Sequence, residues 1–304
     1  MSFALSWSCM LAVTTTRGGL EMRKKLAATA LATGIGLLSA SASAIVVSGI
    51  DFGAMGAGGV HLETMTLAQQ FINPLTTAPG TGAGIGYGYV TTINGNVNYC
   101  TAGSGCGLYY VVDYSGGTFN AAGDQITFTA TSINIYYLNG PVLNLQTQSS
   151  PANLAAIQAG VLYVNLDGHG NLGGGLPANV VSVSTGTLDG ATLDFAGRGL
   201  LDVDLAAPGN ADIEAFLNGN GVPDAVAGKA DIAYSESANN FVLNPFDVSG
   251  GFAVGCATGA AATGAWCLQG TLNTRGVAQL PEPTTLALLA LGMLGGGLVR
   301  RRRV

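Results

Sequence analysis

Residues 123–140 read GDQITFTATSINIYYLNG, and the spacing of their apolar side chains is typical of β-structure. The apolar positions follow one phase at Ile126, Phe128 and Ala130 and the opposite phase at Ile133, Ile135 and Tyr137. Strict alternation places successive side chains on opposite faces of a strand. The change of phase predicts a bulge or the start of a new strand between the two sets.

The same alternation recurs on both sides of this stretch and predicts a mainly β domain. In a second predicted strand, one face carries Leu162, Val164 and Leu166. In a third, one face carries Leu201, Val203 and Leu205. Turn sequences such as LNG, LDGHGN and APGNAD separate the strands at short intervals. We therefore expect an antiparallel β-sandwich or a partly open barrel built from residues 45–280 as one domain. The best short helix candidates in it are residues 61–71 and 212–217.

Charge is distributed unevenly along the 304 residues, of which 48% are apolar and 9% charged. This apolar content is too high for a disordered chain. Residues 45–280 contain three basic and fifteen acidic residues, which gives this segment a net charge of −12. A body this acidic repels phosphate backbones, so we expect no nucleic-acid partner.

The N-terminus has the three parts of a secretory signal when it is read from Met22. A basic stretch at Arg23–Lys25 precedes an apolar run at 26–38, and Ala42 and Ala44 supply the small residues of a cleavage site. We predict a signal helix that signal peptidase cleaves after Ala44. Residues 1–21 form an upstream extension, so the first segment is 1–44.

Four cysteines remain in the body after cleavage, and they form two close pairs. These are Cys100 with Cys106, and Cys256 with Cys267. Export places them in an oxidising compartment, where disulfides persist. Of the three possible connectivities, local pairing closes the shortest loops, and we favour it over a zinc site because neither pair has CxxC spacing.

The last segment, 281–304, combines three signals in a fixed order. Pro281, Glu282 and Pro283 are followed by an apolar run at 284–299 and then by Arg300, Arg301, Arg302 and Arg303. As a helix, 16 residues extend about 24 Å, which is short for a hydrocarbon core of about 30 Å. The arginines would remain cytoplasmic by the positive-inside rule.

This arrangement closely resembles the PEP-CTERM sorting signal of Gram-negative bacteria. The resemblance implies an exosortase as the partner that recognises the tail at the inner membrane and removes it. It also implies a protein that accompanies exopolysaccharide, biofilm or floc formation. The GYGYV segment, the Cys100/Cys106 hairpin and FLNGNGVPDAVAGKADI are similar to flocculation-associated PEP-CTERM proteins.

Few residues of the body could perform catalysis. Its only histidines are His61 and His169, and no GxSxG elbow is present. The glycine-rich tract at 80–86 lacks full GxGxxG spacing and the surrounding Rossmann elements, so we assign it no nucleotide. We expect no enzyme activity and no cofactor; a hydrolase would need one histidine to meet a serine and an aspartate.

Binding sites for cations or sugars are the remaining hypotheses. Asn218, Asn220 and Asp224 alternate with glycine as in a calcium loop, but no bidentate glutamate follows, so a turn is the better interpretation. The acidic pairs Asp202/Asp204 and Asp189/Asp194 are typical of a solvated strand face. Tyrosines and one tryptophan could stack on sugars, but we expect most of them in the core: Tyr109, Tyr110, Tyr114, Tyr136, Tyr137 and Trp266.

These observations lead to one leading function and one alternative. The leading one is an exported, exosortase-sorted protein of the cell surface or extracellular matrix that acts without catalysis in biofilm or floc formation or in cell adhesion. The alternative is a secreted polysaccharide-binding β module, assisted by calcium or not. Its partners would be exopolysaccharide or neighbouring cells.

Overall fold

The computed structural model describes residues 44–53, 59–71, 81–101, 105–145, 148–188, 193–207, 209–239, 266 and 268–277. The predicted signal helix, its cleavage site at Ala42, the hydrophobic helix, the Pro281–Pro283 motif and the four arginines lie outside these residues. So do Cys256 and Cys267. Within the described ranges, no helix is both long and apolar enough to cross a membrane.

The described chain is built mainly from β-strands, as the alternation predicts. Its strands are β1 (Val46–Val47), β2 (Ile50–Asp51), β3 (Gly59–Phe71), β4 (Thr81–Ile93), β5 (Cys106–Phe119), β6 (Gln125–Phe128), β7 (Ala130–Asn139), β8 (Val161–His169), β9 (Ser182–Thr187), β10 (Asp194–Val203), β11 (Val222–Pro223), β12 (Lys229–Ala230), β13 (Ile232–Asn239) and β14 (Leu268–Val277). Two helices, α1 (Ser150–Gln158) and α2 (Ala211–Leu217), connect them.

The phase shift in residues 123–140 marks the boundary between two strands. Strand β6 ends at Phe128 and β7 begins at Ala130, which is exposed. Thr131, Ile133 and Ile135 then face the interior and are at most 3% exposed. The prediction of a new strand is confirmed, and the sequence places its inward face correctly from Ile133 onward.

The ten longer strands form one antiparallel sheet that closes on itself. Strands β3, β4 and β5 are neighbours, and the far edge of β5 pairs with both β6 and β7. These two pair with β9 and β8, which both pair with β10. The circuit returns through β13 and β14 to β3. The prediction of a mainly β, antiparallel fold is confirmed, and these pairings close the sheet into a barrel.

Alternation along β5 separates an inner from an outer core. Leu108, Tyr110, Val112 and Tyr114 belong to the main cluster inside the sheet. Tyr109 and Val111 belong to a second cluster on the outer face, with Ile157 of α1 and Trp266. Helix α1 therefore packs against part of the outer face of the sheet.

Helix α1 was not predicted from the sequence, because its residues SPANLAAIQ have almost no amphipathic pattern. Its position depends on contacts to distant residues. The Asn153 side chain donates hydrogen bonds to the Tyr87 hydroxyl and the Leu145 carbonyl, both at 2.9 Å. Ile157 is completely buried. These contacts stabilise a helix that local propensity alone would leave marginal.

Two details of the sequence interpretation are wrong and one is confirmed. Residues 61–71 form strand β3, because hydrogen bonds to β4 and β14 on its two edges override helix propensity. Leu205 is 60% exposed because β10 ends at Val203. The helix predicted at 212–217 is α2, which the Asn210 side chain caps by accepting from two backbone N–H groups.

The structure joins Cys100 and Cys106 by a disulfide, as the local pairing predicts. Their Cα atoms lie 5.7 Å apart, within the usual range for a disulfide. The bond links the start of β5 to the segment after β4, close to β2, with which Cys100 pairs at Ile50.

Candidate functional site

His169, at the end of β8, lies between two carboxylates from distant parts of the chain. Its Nδ1 is 2.7 Å from Asp202 Oδ2, and its Nε2 is 3.3 Å from Asp224 Oδ2. The pairing of β10 with β8 brings Asp202 to this end of β8. Asp224 lies in the loop between β11 and β12, where its other carboxylate oxygen accepts hydrogen bonds from the Val226 and Gly228 N–H groups.

The two carboxylates stabilise the charged imidazolium. Burial acts to lower the pKa of His169, but the hydrogen bonds to Asp202 and Asp224 outweigh it, so its pKa lies above its ordinary value. Burial acts to raise the pKa of Asp224, but hydrogen bonds from Val226, His169 and Gly228 outweigh it, so that pKa is lowered. The cluster is an ion pair that ties the end of β8 to β10 and to the loop that contains Asp224.

This geometry differs from that of a hydrolase. Among the described residues, both ring nitrogens of His169 have aspartate partners, and neither hydrogen bonds a serine. His61 lies on β3 with its Nδ1 3.9 Å from Glu63 Oε1. The expectation that the protein is not an enzyme remains a prediction.

In the weak calcium-loop candidate, side-chain oxygen atoms accept hydrogen bonds from other groups of the protein. Asn220 donates to Asn218 Oδ1 at 2.9 Å, while Asp224 faces His169. The Asn220 backbone N–H donates to Asp231. No group of three or more histidine, cysteine, aspartate or glutamate side chains suited to a metal occurs in the described part of the chain. The arrangement fits the turn interpretation.

An acidic row crosses the outer face of the sheet. The strand register places Asp113 of β5 opposite Ser132 of β7, Ser132 opposite Asp167 of β8, and Asp167 opposite Asp202 of β10. Like charges directly opposite each other destabilise a sheet, and here the His169 ring lies 2.7 Å from the Asp202 carboxylate at one end of the row.

A groove of about 330 Å³ follows this row, and hydroxyl groups line it together with two carboxylates. Burial raises the pKa of Asp113. Burial and the nearby charge of Asp204 raise the pKa of Asp167, which a Ser132 hydrogen bond partly offsets. The groove, which we call the Asp113–Asp167 groove, presents acceptors and hydroxyls to solvent.

The aromatic residues are mostly in the core, as predicted. Tyr109, Tyr110, Tyr114 and Trp266 are at most 6% exposed. Trp266 packs against Tyr87 with ring centroids 5.5 Å apart. Tyr136 and Tyr137 are half-buried. These rings stabilise the fold, and Trp266 and the three fully buried tyrosines are not available for stacking on a sugar.

A buried carboxyl inside the sheet was missed by the sequence analysis. Glu236 of β13 is 7% exposed; its Oε2 accepts from the Tyr114 hydroxyl at 2.6 Å and its Oε1 from the Ser184 hydroxyl at 3.0 Å. The Gln69 side chain lines the same small cavity as Glu236. Burial raises the pKa of Glu236, and the two hydrogen bonds together with the nearby Gln69 side chain lower it only in part.

Glycine in β10 makes room for this network. The register aligns Ser184 of β9, Gly197 of β10 and Glu236 of β13 in one row. A Cβ atom on Gly197 would lie 2.5 Å from Glu236 Oε1 and 2.7 Å from the Ser184 hydroxyl. Glu236 can therefore reach across the strand only because residue 197 has no side chain. The alternation of serine, glycine and glutamate in SVS, GRG and YSE was the available sequence signal.

Comparison with known proteins identifies only the C-terminal segment. Residues 279–303 match the family model of the PEP-CTERM protein-sorting motif, which includes the predicted Pro281–Pro283 motif and Arg300–Arg303. No curated protein and no solved structure matches the chain. The motif implies an exosortase as processing partner, and it implies export to the cell surface or the extracellular space of a Gram-negative bacterium.

Proposed function

We propose that this chain, whose residues 279–303 are a PEP-CTERM protein-sorting motif, is an exported structural protein of the extracellular matrix or cell surface. It acts without catalysis in biofilm or floc formation or in adhesion between cells. The sorting motif is the observation that carries the proposal, because it gives the protein a route to the surface.

The order of events follows from the two terminal signals. Signal peptidase removes residues 1–44 after translocation begins. The Arg300–Arg303 cluster then holds the tail at the cytoplasmic side of the inner membrane. Exosortase recognises the Pro281–Pro283 motif and releases the body, residues 45–280, outside.

The structure of the body supports a non-catalytic role. Side chains fill the interior of the closed sheet, and the cavity beside Glu236 measures about 10 Å³, enough for a single water molecule but not for a substrate. His169 is engaged by two carboxylates. A closed sheet leaves few strand edges free to pair with another chain, which suits a protein that acts outside the cell.

Intact mass of the protein from the extracellular fraction tests the proposal. We expect a start near Ile45, an end near the Pro281–Pro283 motif, and a gain of about 4 Da on reduction if both cysteine pairs are bonded. A strain that expresses the protein without residues 281–304 should retain it in the cell and lose floc formation. Full-length protein with its arginines in the membrane, or normal flocs in the truncated strain, would contradict the proposal.

The Asp113–Asp167 groove favours a second candidate function, binding of an extracellular polysaccharide with or without calcium. Carboxylates and hydroxyls in a groove can accept and donate hydrogen bonds to sugar hydroxyls, and calcium prefers carboxylate oxygen. The test is co-sedimentation of the purified protein with the polysaccharide of its own strain, with calcium or EGTA. Asp113→Asn with Asp167→Asn should abolish binding, whereas Asp194→Asn, which changes an exposed acid outside the groove, should not.

A further inference from the structure

The hairpin of β11 and β12 is attached firmly at its base and by few contacts at its tip. It forms a two-stranded sheet separate from the barrel. At the base, the Asp231 carboxylate accepts hydrogen bonds from backbone N–H groups of β10 and of the segment before β11. At the tip, residues 224–228, the hydrogen bonds to other described parts of the chain involve His169 and Asn171. Residues 225–227 are exposed, so the position of the tip depends on these contacts.

Asp202, His169 and Asp224 form a link from β10 to this tip, which we call the His169 bridge. Each ring nitrogen faces a carboxylate oxygen, at 2.7 Å for Asp202 and 3.3 Å for Asp224. A neutral imidazole has one N–H donor and one acceptor nitrogen, and an ionised carboxylate only accepts. Both hydrogen bonds of the bridge therefore form together only while His169 is protonated.

The two hydrogen bonds of the bridge differ in length. The Nδ1 contact at 2.7 Å is as short as a charge-assisted hydrogen bond, whereas the Nε2 contact at 3.3 Å exceeds the usual range. Neutral His169 therefore keeps its proton on Nδ1, and its Nε2 lone pair then faces Asp224 Oδ2. The Asp224 side chain is 2% exposed, so little water can separate these two acceptors. Loss of the proton thus replaces an attraction at the hairpin tip by a repulsion.

The charges around the ring identify which groups control its protonation. Burial lowers the pKa of His169, and Asp202 and Asp224 are the charged groups that raise it above its ordinary value of 6.5. Two acids and two bases on the neighbouring elements add no net charge. These are Asp167 of β8, Asp204 after β10, Arg198 of β10 beside Gly174 in the loop after β8, and Lys229 of β12.

We infer that the His169 bridge is a pH-dependent switch that holds the hairpin tip while His169 is protonated and releases it when His169 is neutral. The hairpin lies beside the end of β14, because a Cβ atom on Gly221 would be 2.4 Å from Val277 Cβ. Val277 is two residues before the sorting motif, which begins at residue 279. The switch therefore acts on the part of the body from which the sorting segment departs.

Nitrogen NMR of the imidazole rings in the full chain, titrated from pH 5.5 to pH 8.5, tests the protonation step. The chain has two histidines, so His169→Gln assigns the signals and His61 is an internal reference. We expect His169 to carry protons on both nitrogens at low pH and on Nδ1 alone once it is neutral.

Hydrogen exchange of the Ala225 N–H group reports release of the tip, because this group donates to the Asn171 carbonyl at 3.0 Å. Its protection factor, which corrects for the intrinsic effect of pH on exchange, should fall about tenfold as His169 loses its proton. The midpoint of that fall should coincide with the pKa of His169 measured by NMR.

Asp224→Asn separates the switch from other effects of pH. Its carbonyl oxygen can still accept from the two backbone N–H groups of the loop, while its amide group replaces Oδ2 and donates to the Nε2 lone pair of neutral His169. Protection at Ala225 should then no longer fall as pH rises. Asp194→Asn, which removes an exposed negative charge at the start of β10, is the matched control and should keep the tenfold fall. A neutral His169 with its proton on Nε2, or an unchanged pH dependence in Asp224→Asn, would overturn the inference.

Discussion

The hydrogen bond from Tyr114 to Glu236 offers the most direct test of the interior described above. Tyr114→Phe removes a donor that lies 2.6 Å from a carboxylate oxygen, and both residues are almost completely buried. A hydrogen bond to a charged group contributes about 1.5–3 kcal/mol, and one between neutral groups about 0.5–1.5 kcal/mol. Tyr114→Phe should therefore cost about 1.5–3 kcal/mol when Glu236 is ionised, and about 0.5–1.5 kcal/mol when Glu236→Gln has removed the charge.

The pH dependence of the same pair has a definite sign. Burial raises the pKa of Glu236 above its ordinary value of 4.5, so the folded protein favours the protonated carboxyl. Below pH 4.5 the carboxyl is protonated and costs the folded state no ionisation free energy. The protein loses stability as pH rises from 4.5 through the pKa of Glu236 in the folded state. Glu236→Gln removes this loss. The difference between the free energy of unfolding of this variant and that of the native protein should therefore increase with pH.

Urea unfolding at several pH values, followed by fluorescence, measures both effects. Trp266 is the only tryptophan after Ala44 and is 6% exposed, so its emission should report unfolding of the body. Tyr136→Phe, which changes a half-buried tyrosine on the outer face of β7, is the control and should show no coupling to Glu236→Gln. Equal costs of Tyr114→Phe in both backgrounds at high pH, or a Glu236→Gln difference that does not vary with pH, would refute the reasoning.

Three further predictions concern other parts of the fold. Gly199→Ala should destabilise the protein by about 1–3 kcal/mol in urea unfolding, because its Cβ would lie 2.7 Å from the Val181 carbonyl oxygen as well as against the Tyr234 ring; an unchanged midpoint would mean that β10 and β13 are not packed this closely. His169→Gln should lower the thermal midpoint by about 2 °C at pH 5.5 and by less at pH 8.5, a small effect because Asp202 is 44% exposed. A raised histidine pKa stabilises the fold below pH 6.5, and this contribution disappears as pH rises through the folded pKa, so an equal or larger effect at pH 8.5 would contradict the ion pair. Replacing Cys100 and Cys106 with serine opens a loop with a sequence separation of 6 and should cost about 2 kcal/mol, and no loss of stability would show that the bond is not formed in the native protein.

Signals that depend on neighbours in sequence were predictable without a structure. The Pro281–Pro283 motif, its apolar run and the four arginines are contiguous, and the family comparison confirms the motif. Alternation in residues 123–140 gave β7 and its inward-facing isoleucines, because side chains of a strand change faces at every residue. Asn210 caps α2 through atoms two and three residues away, so that helix could also be predicted.

Contacts between distant residues required the tertiary structure. Residues 61–71 have helix-forming side chains, yet hydrogen bonds on both edges make them strand β3. Asp224 reaches His169 across 55 residues, and Tyr114 reaches Glu236 across 122. Nothing near any of these residues in the sequence specifies the partner.

The sequence by itself therefore determined where the protein is sent and that its body is an antiparallel β domain, because address signals and strand periodicity are properties of short segments. Only the tertiary structure decided that the sheet closes, and that closure places a glutamate, several hydroxyls and two glycines together inside it. The physical reason is that strand register and ring closure depend on pairing between segments far apart in the chain, whose energies act only once the whole sheet has formed.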